Sequence, residues 1–369
     1  MNINKKNILY ALVLFLLYVN ISVLQASNKE GHEEKSFNLK EMIFHHVLDA
    51  YEWHLITIGE NDYSVALPII VRSSERGWFV FSSAHLHDGK NYEGFRINHG
   101  EKYNGKIVEK TKNGNEVRPL DLSLTKDATA IILSCLVLIF VFVSMANSYK
   151  RKPLKSHKGV FGALEMLIVA MVDDVIKPSI GKNYKRYVPY LLTAFFFILL
   201  NDLIGLIPIF PAGANVTGNI AVTLVLALIT FVITNVFAGK EYFKEIFWPD
   251  VPWWLKFPIP IMPLVEILGV FTKPFALMVR LFANILAGHM ILLVLMGLIF
   301  IFYIAIGPFA AMGVSIISIL FSIFMLLLDV LVAFIQAYVF TMLSALFIGL
   351  AQVEHHSKPL NSNIESNQN

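Results

Sequence analysis

The sequence predicts an all-α polytopic membrane protein with about five transmembrane helices, the last two long and tilted, plus an N-terminal extracytoplasmic domain with some β structure. Three observations predict it. The 369 residues are 56% hydrophobic and 15% charged, with a mean hydropathy of +0.61, whereas a soluble chain carries charge nearer ~25%. Several apolar stretches exceed the ~20 residues that cross a bilayer. The lysines and arginines that separate these stretches fall only where the positive-inside rule puts a cytoplasmic flank. The single cysteine, Cys135, lies in an apolar run, which excludes an intrachain disulfide and a thiolate metal site.

The elements follow in order. Residues 1–26 read as a secretory signal peptide: Lys5 and Lys6, an apolar run from Ile8 to Leu24, and a small-residue cleavage site at Ala26. A retained first membrane helix is the alternative, and either places the next segment outside the cytoplasm. Residues 27–122 form the extracytoplasmic domain. Ser64–Val71 and Trp78–Ser82 read as strands around the turn Ser73-Ser74-Glu75-Arg76-Gly77. His45, His46, His54, His85 and His87 match no metal-binding spacing and read as surface histidines, a metal site being the other option.

Residues 123–356 form the membrane domain. The first span lies near Ala128–Ala146, followed by the cytoplasmic cluster Lys150, Arg151, Lys152, Lys155 and Lys158. Val160–Ile176 is apolar but holds Glu165, Asp173 and Asp174, and reads as an amphipathic helix lying on the cytoplasmic face. The second and third spans are expected at Val188–Phe210 and Asn219–Ala238, joined outside by the uncharged turn Pro211–Asn215. Lys240, Lys244 and Lys256 mark a cytoplasmic connection that carries the interfacial Trp248, Trp253 and Trp254. Two apolar stretches, about Pro263–Tyr303 and Pro308–Val353, are too long for upright helices and are expected to tilt, with an outside turn at Gly307-Pro308. Residues 357–369 read as a disordered cytoplasmic tail.

Within the fourth stretch Arg280 carries a charge that a guanidinium cannot shed. Holding it at membrane depth costs roughly 2.5–3.5 kcal/mol on insertion scales. From Leu281 to Val353 the only formally charged side chain is Asp329. Gly269, Lys273, Ala276, Arg280, Ala283 and Ala287 recur at intervals of 4, 3, 4, 3 and 4, so one helical stripe holds small residues around a fixed cation. Glu266 precedes this stripe, and Asn284 follows Arg280 by one turn. His289 lies nine residues past Arg280, on roughly the opposite face at about 100° per residue. It points toward the fifth span, where Asp329 and Gln336 are seven apart and share a face, with Ser315, Ser318 and Ser322 beyond them. A histidine and a carboxylate can exchange protons near neutral pH; a static buried ion pair that fixes helix register is the other reading.

Four motifs carry a family resemblance over roughly residues 128–356: R-L-F-A-N-I-L-A-G-H at Arg280–His289, L-L-D-V-L-V-A-F-I-Q-A-Y-V-F-T at Leu327–Thr341, N-D-L-I-G-L-I-P at Asn201–Pro208 and A-N-V-T-G-N-I-A-V-T-L at Ala214–Leu224. In that order the chain resembles subunit a of the F-type ATP synthase, the stationary ion-channel subunit of a bacterial membrane sector. The resemblance implies that Arg280 faces a rotating ring of c subunits and that His289 and Asp329 line an external half-channel. Here histidine lies on the first helix and acid on the second, the mitochondrial order rather than the enteric bacterial one. Gln336 and Asn284 match polar residues near the arginine, and Glu266 an acid of the cytoplasmic half-channel. Asp202 stands where many members have asparagine, and its part in the channel stays open. Expected partners are the c-ring, the b subunits of the peripheral stalk, other synthase subunits and the lipid bilayer, with no nucleic acid and no cofactor. The expected location is the bacterial inner membrane, with a periplasmic N-terminal domain and a cytoplasmic C-terminus.

The sequence G-x-x-x-x-G-K-[ST] is absent, so no phosphate-binding loop of that kind lies on this chain. A secondary transporter would show paired internal repeats and more polar groups at a substrate site, and a scaffold would not need intramembrane charges. The external domain departs from the compact pattern of the family, and no motif explains it.

Overall fold

The computed structural model describes residues 49–58, 61–73, 76–98, 100, 103, 105–110, 116–151, 159–207, 213–247 and 261–352. The signal region, His45 and His46, the tryptophans at 248, 253 and 254, and the C-terminal tail lie outside them.

The described residues of the N-terminal region form eight short strands: β1 Glu52–Ile58, β2 Asn61–Ala66, β3 Pro68–Ser73, β4 Gly77–Ser82, β5 Phe95–Asn98, β6 Lys106–Lys110, β7 Glu116–Val117 and β8 Leu120–Asp121. They form three antiparallel sheets, ordered β1-β2, β4-β3-β8 and β5-β6-β7. The hairpin expected around Arg76 is present, with Ser73 opposite Gly77. The expected strand 64–71 is instead split at Leu67, and Pro68 opens β3. A proline without an N–H is tolerated at the first residue of a strand. Strand alternation turns Ile69, Val71 and Ser73 inward. Ile69 and Val71 join Tyr51, Leu86, Phe95 and Ile107 in a small core. Beside this core Glu109 accepts hydrogen bonds from Ser73 at 2.7 Å and from Arg76 at 2.8 Å, and Arg76 lies over the rings of Phe79 and Phe95.

The rest is helical. Helix α1 spans Lys126–Arg151, with Asp127 in its first turn and Lys150 and Arg151 in its last, the polarity that suits the helix dipole. Helix α2, Val160–Ala170, runs on through a π-helical turn, Met171–Ile176, into α3, Lys177–Ile180. This run buries Met171, Val175, Ile176 and Ile180 in the bundle while Asp173 and Asp174 stay exposed. Helix α4 is Val188–Gly205, α5 Ile220–Val236, α6 Lys240–Phe247, α7 Ile261–Ile306 and α8 Pro308–Leu350.

Among the described residues four helices are long and apolar enough to cross a membrane: 126–151, 188–205, 263–306 and 311–350. The third expected span, Asn219–Ala238, corresponds to α5, apolar but only 17 residues long. Its start is fixed by Asn219, whose side-chain oxygen accepts from the Ala221 N–H at 3.1 Å as an N-cap. Helices α7 and α8 have 46 and 43 residues. At ~1.5 Å per residue each is roughly twice the ~30 Å hydrocarbon thickness, so each must tilt or project to remain in lipid. Only Gly307 separates them; its φ of 107° is a backbone state that glycine adopts without strain, and Pro308 starts α8 at a position where no N–H is needed. Phe195, Leu277, Leu281, Ala337 and Phe340 form the core where α4, α7 and α8 meet.

Candidate functional site

Helix α7 carries Glu266, Arg280, Asn284 and His289, and α8 carries Asp329 and Gln336. The two helices are joined by a direct polar contact, Asn284 Nδ2 donating to Gln336 Oε1 at 3.1 Å. Gln336 is buried, and its Nε2 has no partner among the described residues.

Beside that contact α4, α7 and α8 form a small cavity, no larger than a water molecule or so, whose polar lining is Asp202, Asn284, His289 and Asp329. Asp329 lies directly over Gly288: a Cβ on residue 288 would sit 2.7 Å from Asp329 Oδ1 and 3.1 Å from its Cγ. Only glycine leaves room for the carboxyl there. His289 reaches across to α4, its Nε2 falling 3.7 Å from where a Cβ of Gly205 would be. His289 and Asp329 thus line one cavity, and no hydrogen bond joins them to each other among the described residues.

Asp202 is the residue whose part the sequence left open. It is 2% exposed, its Oδ1 accepts from the Thr217 hydroxyl, and its Oδ2 has no partner among the described residues. Asp329 Oδ2 is likewise without a partner among them. An unsatisfied buried polar oxygen costs roughly 1–3 kcal/mol, so a pair of them on one cavity calls for water or a proton. The signal that marks Asp202 was in the sequence: an acid within an apolar run of spanning length.

Arg280 has the opposite setting. It is exposed, as are Ala276, Ala283 and Ala287 of its stripe, while Gly269 and Lys273 are half-buried. It forms no ion pair among the described residues. The row of small residues is open, with nothing of the described chain within 4 Å of a Cβ placed at Gly269.

Glu266 is half-buried and lies away from the cavity of His289 and Asp329. Its charge, after burial, helps raise the phenol pKa of Tyr242 on α6. Next to this pair a second small pocket has Thr230, Thr234, Asn235, Tyr242 and Lys273 in its lining. Of the histidines in the β region, His85 is exposed and stacks on Tyr92 at 4.5 Å, and the side chains of His54 and His87 lie outside the described residues. Among the described residues no three His, Cys, Asp or Glu converge on a metal site.

Comparison with known proteins adds family relationships. The family described as ATP synthase A chain matches residues 128–349, from α1 to the end of α8. A family described as Domain of unknown function (DUF8433) matches residues 42–122. The chain is 46% identical to ATP synthase subunit a 2 of Chlorobaculum tepidum over 249 residues, covering 66% of this chain and 67% of that protein. It is 41% identical to ATP synthase subunit a of Chloroherpeton thalassium over 243 residues, covering 64% and 68%. With ATP synthase subunit a of Myxococcus xanthus it shares 44% identity over 260 residues, covering 67% and 80%.

Proposed function

The chain belongs to the ATP synthase subunit a family and is a multi-pass membrane subunit of the proton-channel sector; from that premise we propose how its residues divide the work. Protons reach the rotor from the outer side through the cavity of Asp202, His289 and Asp329. Arg280, on the exposed stripe of α7, faces the ring of c subunits. Glu266 serves the cytoplasmic half-channel, beside Tyr242. Asn284 and Gln336 lock α7 to α8 between the two.

The observation that supports this reading is the division of the membrane charges: acids and a histidine around one cavity, and an exposed cation on α7 with no ion pair among the described residues. The physical logic is as follows. A ring carboxyl can face lipid only when neutral, because an unpaired buried charge is prohibitive. An opposite charge within reach lowers a carboxyl pKa by ~1–3 units, so Arg280 drives each passing carboxyl to release its proton. Its fixed charge also repels protons and blocks a leak between the half-channels. Each charge that crosses gains ~2.3 kcal/mol per 100 mV, which the rotor turns into ATP synthesis elsewhere in the complex. The b subunits hold the chain as stator. In this reading residues 27–122 are periplasmic, residues 123–356 form a membrane domain of five spans with α5 as the third, and the C-terminus is cytoplasmic.

The test is ATP-driven proton pumping in inverted membrane vesicles. Arg280→Ala should abolish it with the complex still assembled; retained pumping overturns the assignment.

A further inference from the structure

The β region has no role in the reading above, yet it touches the membrane part at one place only a few residues from the proton cavity. The turn 213–219 links α4 to α5. Its inner side bears Thr217, 1% exposed, whose hydroxyl donates to Asp202, and Asn215, 5% exposed, whose Nδ2 has no partner. Its outer side is covered by Trp53 of β1, which is 4% exposed and packs with Ala130 of α1 and with Ala214 and Val216 of the turn. The turn is also tied laterally. Asn219 caps α5 with its oxygen and donates from Nδ2 to Asp127 at 2.8 Å. The Asp127 N–H donates to Asp49 at 3.1 Å, and the Lys126 N–H to the Ala50 carbonyl at 2.8 Å.

We propose that the N-terminal β domain is a clamp on the outer mouth of the proton path, in which Trp53 and the Asn219–Asp127 bond hold the 213–219 turn so that Thr217 stays on Asp202. The proposal rests on the proton-path reading above and gives the domain its work. The turn, Gly213-Ala214-Asn215-Val216-Thr217-Gly218-Asn219, has little apolar area of its own. A buried tryptophan supplies about 150–250 Å², enough to keep such a segment in one conformation. With the cover removed, the turn is free to carry the hydroxyl away from Asp202. Trp53 and Asp127 are positioning residues: they touch the turn and α1, and act on the proton path through Thr217.

The test is the initial rate of ATP synthesis in inverted membrane vesicles acid-loaded to a series of lumenal pH values, normalised to assembled complex. Trp53→Ala should lower the rate about tenfold, within what ångström-scale misplacement of reacting groups costs, and shift its pH profile, while Trp53→Phe restores both. Asn219→Ser keeps a cap acceptor but is too short to bridge to Asp127, and should shift the profile in the same direction by less. Val80→Ser, on the exposed face of β4, should change nothing. Parental rate and profile in assembled Trp53→Ala overturn the proposal. If Trp53→Ala does not assemble, Asn219→Ser decides: a shifted profile supports the clamp, and a parental profile or failure to assemble assigns the contact to folding alone and overturns it. Asp329→Asn separates the two levels. If it slows synthesis while the Trp53 and Asn219 variants do not, only the clamp fails; if it too is silent, the proton path is misassigned.

Discussion

Arg280 and Asp329 are both ionisable groups within the long apolar helices, yet they sit in opposite surroundings. Asp329 is tucked against Gly288 on a cavity shared with Asp202 and His289. Arg280 stands on an open row of small residues with no ion pair among the described residues. On the reading proposed above, a charge held at membrane depth at a cost of several kcal/mol, with no ion pair among the described residues, finds its partner on another chain. A cavity with two orphaned carboxyl oxygens implies water and protons instead. On that reading the two sides of α7 are different devices on one helix, and the nine-residue spacing from Arg280 to His289 keeps them apart.

That division can be broken from either side. The largest effect is expected from Arg280→Ala, which should eliminate ATP-driven pumping in vesicles; Arg280→Lys should also fail to restore normal rates, because a point charge on a flexible stem does not replace a planar fork. Next is Gly288→Ala. The added Cβ overlaps Asp329 Oδ1 at 2.7 Å, so the carboxyl must move, and proton flux at constant assembly should fall by about an order of magnitude or more. Asp329→Asn should slow flux while leaving subunit content intact on gels of the purified complex. Asn284→Ala comes next. It leaves buried Gln336 without its partner, which costs about 1–3 kcal/mol, and should read out as a lower thermal midpoint of the complex with pumping largely retained. The smallest effect is expected from Glu109→Gln. It weakens the Arg76 and Ser73 bonds inside the β domain, so it should lower the domain's protease resistance and leave pumping unchanged.

The helical frame was legible because hydrocarbon selects for length and apolarity, and both are written residue by residue. The Gly307-Pro308 turn was legible for the same kind of reason, since few residues tolerate a reversal with no intervening loop. What hydropathy cannot encode is which neighbour a buried face meets. The π turn at 171–176 reads as ordinary apolar helix. The break at Leu67 is hidden in a run of strand formers, and the β5-β6-β7 sheet, whose strands are four, five and two residues long, gives too little periodicity to detect. At the site, helical spacing put Asp329 and Gln336 on one face and His289 opposite Arg280. It could not show that Asn284 turns to Gln336, or that α4 brings Asp202 into the cavity of His289 and Asp329, because both depend on distances between helices rather than along one. Small residues announce that something comes close; they do not say what.

The single glycine between the two longest helices leaves the hairpin no slack. One residue added after Gly307 would turn α8 by about 100° about its own axis, carrying Asp329 off its seat and Gln336 away from Asn284 together. Sideways force on α7 is therefore shared at once with α8, and the pair behaves as one stiff strut rather than two hinged rods.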